Sequence, residues 1–142
     1  MPRDARDLGR TLAQLRRALK LAEQAQQEYE TARQRRGAEV LAALQPGQRA
    51  LVVVSRAYNG CDPGANLEIP RKLRNMGVLA IPIDFLPLDN VTLPGDWFNM
   101  YWRYGQKILA AAELIAGDDR LQAVYITNFG CGPDSFIGRF FG

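Results

Sequence analysis

Cys61 and Cys131 are the only two cysteines of a 142-residue chain that holds no histidine. Cys131 stands between Gly130 and Gly132, inside Thr127-Asn128-Phe129-Gly130-Cys131-Gly132-Pro133-Asp134-Ser135-Phe136. Flanking glycines let a backbone turn sharply and come close to a ligand. Pro133 with Asp134 or Ser135 reads as a helix start. The free N–H groups there favour a thiolate, the form that binds metals and attacks electrophiles. A tight turn around a buried, inert cysteine fits the same spacing equally well. Cys61 lies in a second turn-rich stretch, residues 55–66, with Gly60, Pro63 and Gly64.

The missing histidine removes several chemistries at once. A Ser-His-Asp triad, a Cys-His pair and any histidine-ligated metal are excluded within this chain. Two cysteines also fall short of the roughly four ligands that a thiolate zinc or iron–sulfur site wants. Any cluster would need ligands from other chains, other segments or non-cysteine groups. Carboxylates, Lys and Arg, tyrosines and backbone amides remain available.

The elements that must position these residues follow from the apolar pattern. Residues 4–44 read as one long helix or two, with Leu8, Leu12, Leu15, Leu19, Ala22 and Tyr29 at helical spacing and Gln26 interrupting. The stripe is narrow. It either covers the domain or pairs with a second copy as a heptad seam would. Gly37 marks a candidate break, and Gln45-Pro46-Gly47 ends the segment. Three short apolar runs, 49–54, 78–83 and 121–127, read as strands, and Pro82 gives the second either an edge position or an early end. Helices are expected over 70–76, closed by Gly77, and over 97–116, closed by Gly117. The second would bury Trp97, Tyr101, Tyr104, Ile108, Ala112 and Ile115.

Strands alternating with helices imply a parallel sheet. The expected fold is α/β, a three-layer Rossmann- or flavodoxin-like sheet of about three strands with a long N-terminal helix. Residues 1–45 form the helical segment, and 46–142 form the α/β domain. With three strands and a last helix barely begun, that domain is expected to be truncated at its C-terminus. Ligands of such sheets bind beyond the carboxyl ends of the strands. The candidate binding residues there are Arg56, Tyr58, Asn59, Asn128, Gly130, Gly132 and Ser135, with Asp84 in the same region and Cys61 and Cys131 as candidate metal ligands.

The net charge of +3 resides in residues 1–44, which hold nine basic and six acidic residues. A basic surface helix accounts for it without nucleic-acid binding. No apolar run reaches membrane-spanning length, and no signal peptide is visible. The expected setting is the cytoplasm, with both thiols reduced.

Two blocks of sequence resemble a known family. The first holds Arg56-Ala57-Tyr58-Asn59, Asp62-Pro63-Gly64-Ala65-Asn66-Leu67, Ile69-Pro70-Arg71-Lys72-Leu73 and Asp84-Phe85-Leu86-Pro87-Leu88. The second holds Tyr101-Trp102-Arg103-Tyr104-Gly105-Gln106-Lys107-Ile108-Leu109 and residues 126–136. Over about residues 20–142 the chain resembles the acyl-CoA dehydratase activase-related proteins, which are often joined to an ATPase of the 2-hydroxyglutaryl-CoA dehydratase activator type. The resemblance implies a region similar to the iron–sulfur dehydratase subunits and ATP-driven, one-electron chemistry in anaerobic metabolism. It makes Cys131 the first candidate ligand of a [4Fe–4S] cluster and Cys61 the second. Ala57 stands where the family pattern has proline, and Ser55 where it has glycine. The ATPase motifs and further cysteines of longer members are absent here. The chain by itself is therefore expected neither to hydrolyse ATP nor to dehydrate a substrate.

Two functions from different classes follow. One is a redox module whose partners, other segments or subunits of a dehydratase- or activase-like protein, complete the cluster. The other is a non-catalytic binding or assembly module for an anionic ligand or a protein partner, with Arg56, Arg71 and Lys72 as anion contacts. A homo-oligomer through the helical seam is compatible with both.

Overall fold

Ala50–Ser55 is a run of small and β-branched residues without a charge, and it forms the central strand β1. The computed structural model describes residues 9–97, 99–128 and 132–141. In it β1 is flanked by β2 (Leu79–Pro82) and β3 (Leu121–Ile126), in the order β2-β1-β3, both pairings parallel. Ala50 pairs with Leu79 on one side and Leu121 on the other. Side chains alternate across a strand, so Ala50, Val52 and Val54 share a face with Ile81, Leu121 and Tyr125. That face packs on Ile108, Leu109 and Ala111 of α4 (Arg103–Ala116) and Ile137 of α5 (Gly132–Phe141). On the opposite face, α2 (Ala57–Cys61) and α3 (Ile69–Asn75) carry the chain from β1 to β2. The sheet is thus sandwiched between helices, as a parallel sheet requires. β2 is an edge strand, in keeping with Pro82.

The first helix, α1, spans Leu12–Ala42. Its start is later than the hydrophobic stripe suggests, because Thr11 closes a capping box. The Thr11 hydroxyl accepts from the Gln14 N–H at 3.2 Å, and the Gln14 side chain accepts from the Thr11 N–H at 2.9 Å. Gly37 is not a break. The helix runs through it, and the glycine is there for close packing: a Cβ would lie 1.7 Å from the Phe85 carbonyl oxygen. From this point on, Val40, Leu41 and Leu44 reach the core. The preceding two-thirds of α1 is not covered by the domain, with Leu12 56%, Leu19 60% and Tyr29 60% exposed.

The segment before α4 also departs from expectation. The helix begins at Arg103 rather than at Trp97, which ends a separate 3-10 turn, Gly95–Trp97. Trp97 packs edge-on against Phe140, with ring centroids 4.6 Å apart. Tyr101, expected in the buried stripe, is 77% exposed. Gly77 ends α3 with φ of 77°, and the turn residue Gly47 has φ of 83°. Among the described residues, no helix is long and apolar enough to cross a membrane.

The contact at Gly37 is a sharp test of how α1 joins the sheet. Gly37→Ala must push α1 off the Phe85 backbone. Overpacking of this kind costs about 1–3 kcal/mol or more. Urea unfolding should show a loss of that size despite alanine's better helix propensity. An unchanged or stabilised protein would contradict the docking of α1 described here.

Candidate functional site

From β1 the chain goes to β2 on one side and then crosses back to β3 on the other. That reversal opens a crevice between the carboxyl ends of β1 and β3, where parallel α/β sheets hold ligands. Ser55 pairs with Ile126 at this edge, so Arg56 and Asn59 lie close to Thr127 and Asn128. Arg56 Nε donates to Asp134 Oδ1 at 2.6 Å, and Thr127 Oγ1 donates to the other oxygen, Oδ2, at 3.3 Å. The Asp134 side chain is fully buried and that of Arg56 is 17% exposed. Asp134 lies in the first turn of α5, where a carboxylate is also favoured by the helix dipole. Asn128 Nδ2 donates to Asn59 Oδ1 at 3.4 Å, and Asn59 Nδ2 is buried without a hydrogen-bond partner.

The turn that sets these groups is tight. A Cβ on Gly60 would lie 2.4 Å from Ser55 Oγ, so α2 folds back closely over the end of β1, and a larger residue there would have to turn the Ser55 hydroxyl aside. Asn66 Nδ2 donates to the Gly60 carbonyl at 2.9 Å and holds the loop to α3 in place. Leu67 and Glu68 follow it in the left-handed region, with φ of 51° and 57°. Such residues carry local strain, which concentrates at functional sites.

Beside the crevice, on the α2–α3 face, lies a cleft of about 190 Å³. Tyr29 and Arg33 of α1, Gly60 and Cys61 of α2, and Pro82 and Asp84 beyond β2 line it. Cys61 is an exposed free thiol on its rim. Arg33 Nε is buried without a hydrogen-bond partner, and the guanidinium lies 5.5 Å from the Tyr29 ring centroid. Asp84 is paired with Lys107. The Tyr104 ring lies beneath both Lys107, at 5.6 Å, and Arg56, at 5.9 Å. Tyr104 thus links the crevice to the cleft. Burial raises its hydroxyl pKa above the ordinary value, and the nearby Asp84 carboxylate adds to this. The Ala57 N–H and Arg33 pull it the other way.

Of the candidates named from the sequence, Arg56, Asn59 and Asn128 come together, and Cys61 reaches the cleft. Gly132 opens α5. Tyr58 is 52% exposed, and Ser135 is on the exposed side of α5. Arg71 pairs with Glu68 on the surface, and Lys72 is exposed on α3, so neither joins the cluster. Gly130 and Cys131 lie outside the described residues. So does the expected meeting of the Cys131 thiol with the loop at 58–66. The reading from sequence missed Asp134 as the partner of Arg56; it placed Tyr104 only in a buried helix stripe, and gave neither Lys107 nor Arg33 a place in the site. An i-to-i+78 ion pair leaves no local signal. Arg33 continues the helical stripe of Leu12 to Tyr29 but is charged, so the apolar pattern gives no sign that it lines the cleft.

The Arg56–Asp134 pair should behave as a buried ion pair. Arg56→Ala strands a fully buried carboxylate and should cost about 3–5 kcal/mol in denaturant unfolding. The double variant Arg56→Met, Asp134→Leu removes both charges and should lose much less than Arg56→Ala. Equal losses in the two variants would show that the charges are not coupled.

Residues 3–86 match a family model described as a CoA enzyme activase uncharacterised domain. The span runs from α1 through β2 to the turn at Phe85, and holds Arg33, Arg56, Asn59, Cys61 and Asp84. No curated protein and no solved structure matches the chain.

Proposed function

The chain belongs to the family of CoA enzyme activase domains so described, and from that premise we propose that it is a non-catalytic module of an acyl-CoA dehydratase activation system. In this reading its partners are the other segments or subunits of a dehydratase- or activase-like assembly in the cytoplasm. They supply ATP hydrolysis and drive single electrons onward. The observation that carries the reading is the placement of Cys61. It lies on the rim of a mostly apolar cleft at the carboxyl edge of the sheet, within the span that matches the family.

A [4Fe–4S] cluster is the redox group that such a system uses, and it would carry the electron. The described residues do not fit one by themselves. Among them, no group of three or more His, Cys, Asp or Glu side chains gathers where it could hold a metal ion. The chain's own contribution is one exposed thiol, Cys61. Cys131, outside the described residues, is the second thiol of the sequence. The remaining ligands come from partners.

A second reading is favoured by Arg33. Its buried Nε has no partner, and an anionic group in the cleft would satisfy it. Arg33 would then bind and orient, and the apolar walls would exclude water from the contact.

Anaerobic reconstitution with iron and sulfide separates the two. On the redox reading the chain assembled with its dehydratase- or activase-like partners gains visible absorption and bound iron, and both signals fall when the chain carries Cys61→Ser. If that assembly takes up no iron, or Cys61→Ser keeps all of it, the ligand role of Cys61 is lost. On the anion reading, calorimetric titration with coenzyme A should show binding that Arg33→Ala weakens by about tenfold, the scale of one charge-assisted hydrogen bond. Binding that ignores Arg33→Ala would place the ligand elsewhere.

A further inference from the structure

The long helix carries a pattern that the α/β domain does not use. Leu12, Leu15, Leu19, Ala22, Gln26 and Tyr29 are spaced alternately by three and four residues, the a and d positions of a heptad repeat, and Arg33 continues it. All lie within α1. The hydrophobic core and the residues packed on it take Val40 and Leu41 from this helix, but nothing from residues 12–32. Those residues project over roughly 30 Å of helix at 1.5 Å per residue. Leu12, Leu19 and Tyr29 are each more than half exposed. An a/d-only stripe is too narrow to cover a domain and has the width of a coiled-coil seam.

The flanking positions decide the partner. The three residues on one flank of the seam, the g positions, are Ala18, Ala25 and Ala32, and those on the other flank, the e positions, are Arg16, Glu23 and Glu30. In a parallel pair each e residue faces a g residue of the other helix. Every charge would then face alanine or Thr11, and no ion pair would form. In an antiparallel pair e faces e and g faces g. The alanine row then lets two backbones approach closely. With Leu19 against Ala22 of the second copy, Leu15 meets Gln26 and Leu12 meets Tyr29. In the same register Arg16 of each copy lies beside Glu23 of the other. The charges are complementary only between two copies running in opposite directions.

We propose that residues 12–33 of α1 form an antiparallel coiled coil with a second copy of this chain. The seam ends at Tyr29 and Arg33, which line the cleft. The start of the second copy's helix therefore arrives at the cleft rim, and each cleft is bordered by both chains. The inference rests on the helix and its charges, and is independent of the functional reading above.

Sedimentation equilibrium of the full chain should show a concentration-dependent species of twice 15.9 kDa. Leu15→Asp with Leu19→Asp should leave only monomer with unchanged thermal unfolding, because neither residue supports the domain core. The single variants Arg16→Glu and Glu23→Arg each set like charges together and should dimerise about tenfold more weakly. The combination Arg16→Glu, Glu23→Arg restores opposite charges only in the antiparallel pair, and should recover the wild-type constant. A monomer at all soluble concentrations overturns the proposal. So does a dimer indifferent to the leucine changes. Charge variants that fail to compensate overturn the antiparallel register.

Discussion

The structure depends on burying β1 on all sides. Ala50, Val52, Val53, Val54 and Ser55 are each less than a tenth exposed, and both of the strand's edges are hydrogen-bonded. A strand so enclosed requires a neighbour on each side and helices on each face. Apolar burial is the main favourable term in folding, so this one run constrains where every other element can go. It also forces the loops after β1 and β3 to one edge of the sheet. Residues more than sixty positions apart therefore meet there, Asn59 with Asn128 and Arg56 with Asp134.

That edge is costly to build. A fully buried carboxylate must recover its lost hydration from Arg56 and Thr127. The pair joins the end of the central strand to the last helix, so it acts as a register pin between two parts of the chain that the sheet alone leaves loosely related. Buried amides add to the polarity: Asn59 Nδ2 and Asn66 Oδ1 lack partners. Tyr104, beneath two cations, lies between the crevice and the neighbouring cleft.

The long helix is divided at Gly37 into two parts. Beyond Gly37 it is part of the domain, locked by a backbone contact that admits no side chain. Before that point it is a projecting arm whose apolar residues are at heptad spacing. The cleft lies where the two regimes meet, with Tyr29 and Arg33 forming one wall. Any occupant of the cleft therefore touches both the arm and the sheet.

Much of this was already legible in the residue order. Short β-branched runs bounded by Gly and Pro declare strands, Gly77 and Gly117 declare helix ends, and Pro82 declares an edge, because each acts through local backbone geometry. The alternation of elements was enough to imply a parallel sheet, and hence that Arg56, Asn59 and Asn128 share an edge. Only the tertiary structure decided what those residues touch. The partner of Arg56 lies 78 residues away, and Gly37, which reads locally as a helix breaker, is the point where the helix meets Phe85. Trp97 reads as the first residue of the third helix, yet α4 starts at Arg103 and Trp97 instead packs on Phe140 of α5. Helical periodicity records that a residue faces one side, but the space on that side is fixed by other parts of the chain. Local conformation is set by neighbours in sequence, while ion pairs, close approaches and clefts are set by neighbours in space.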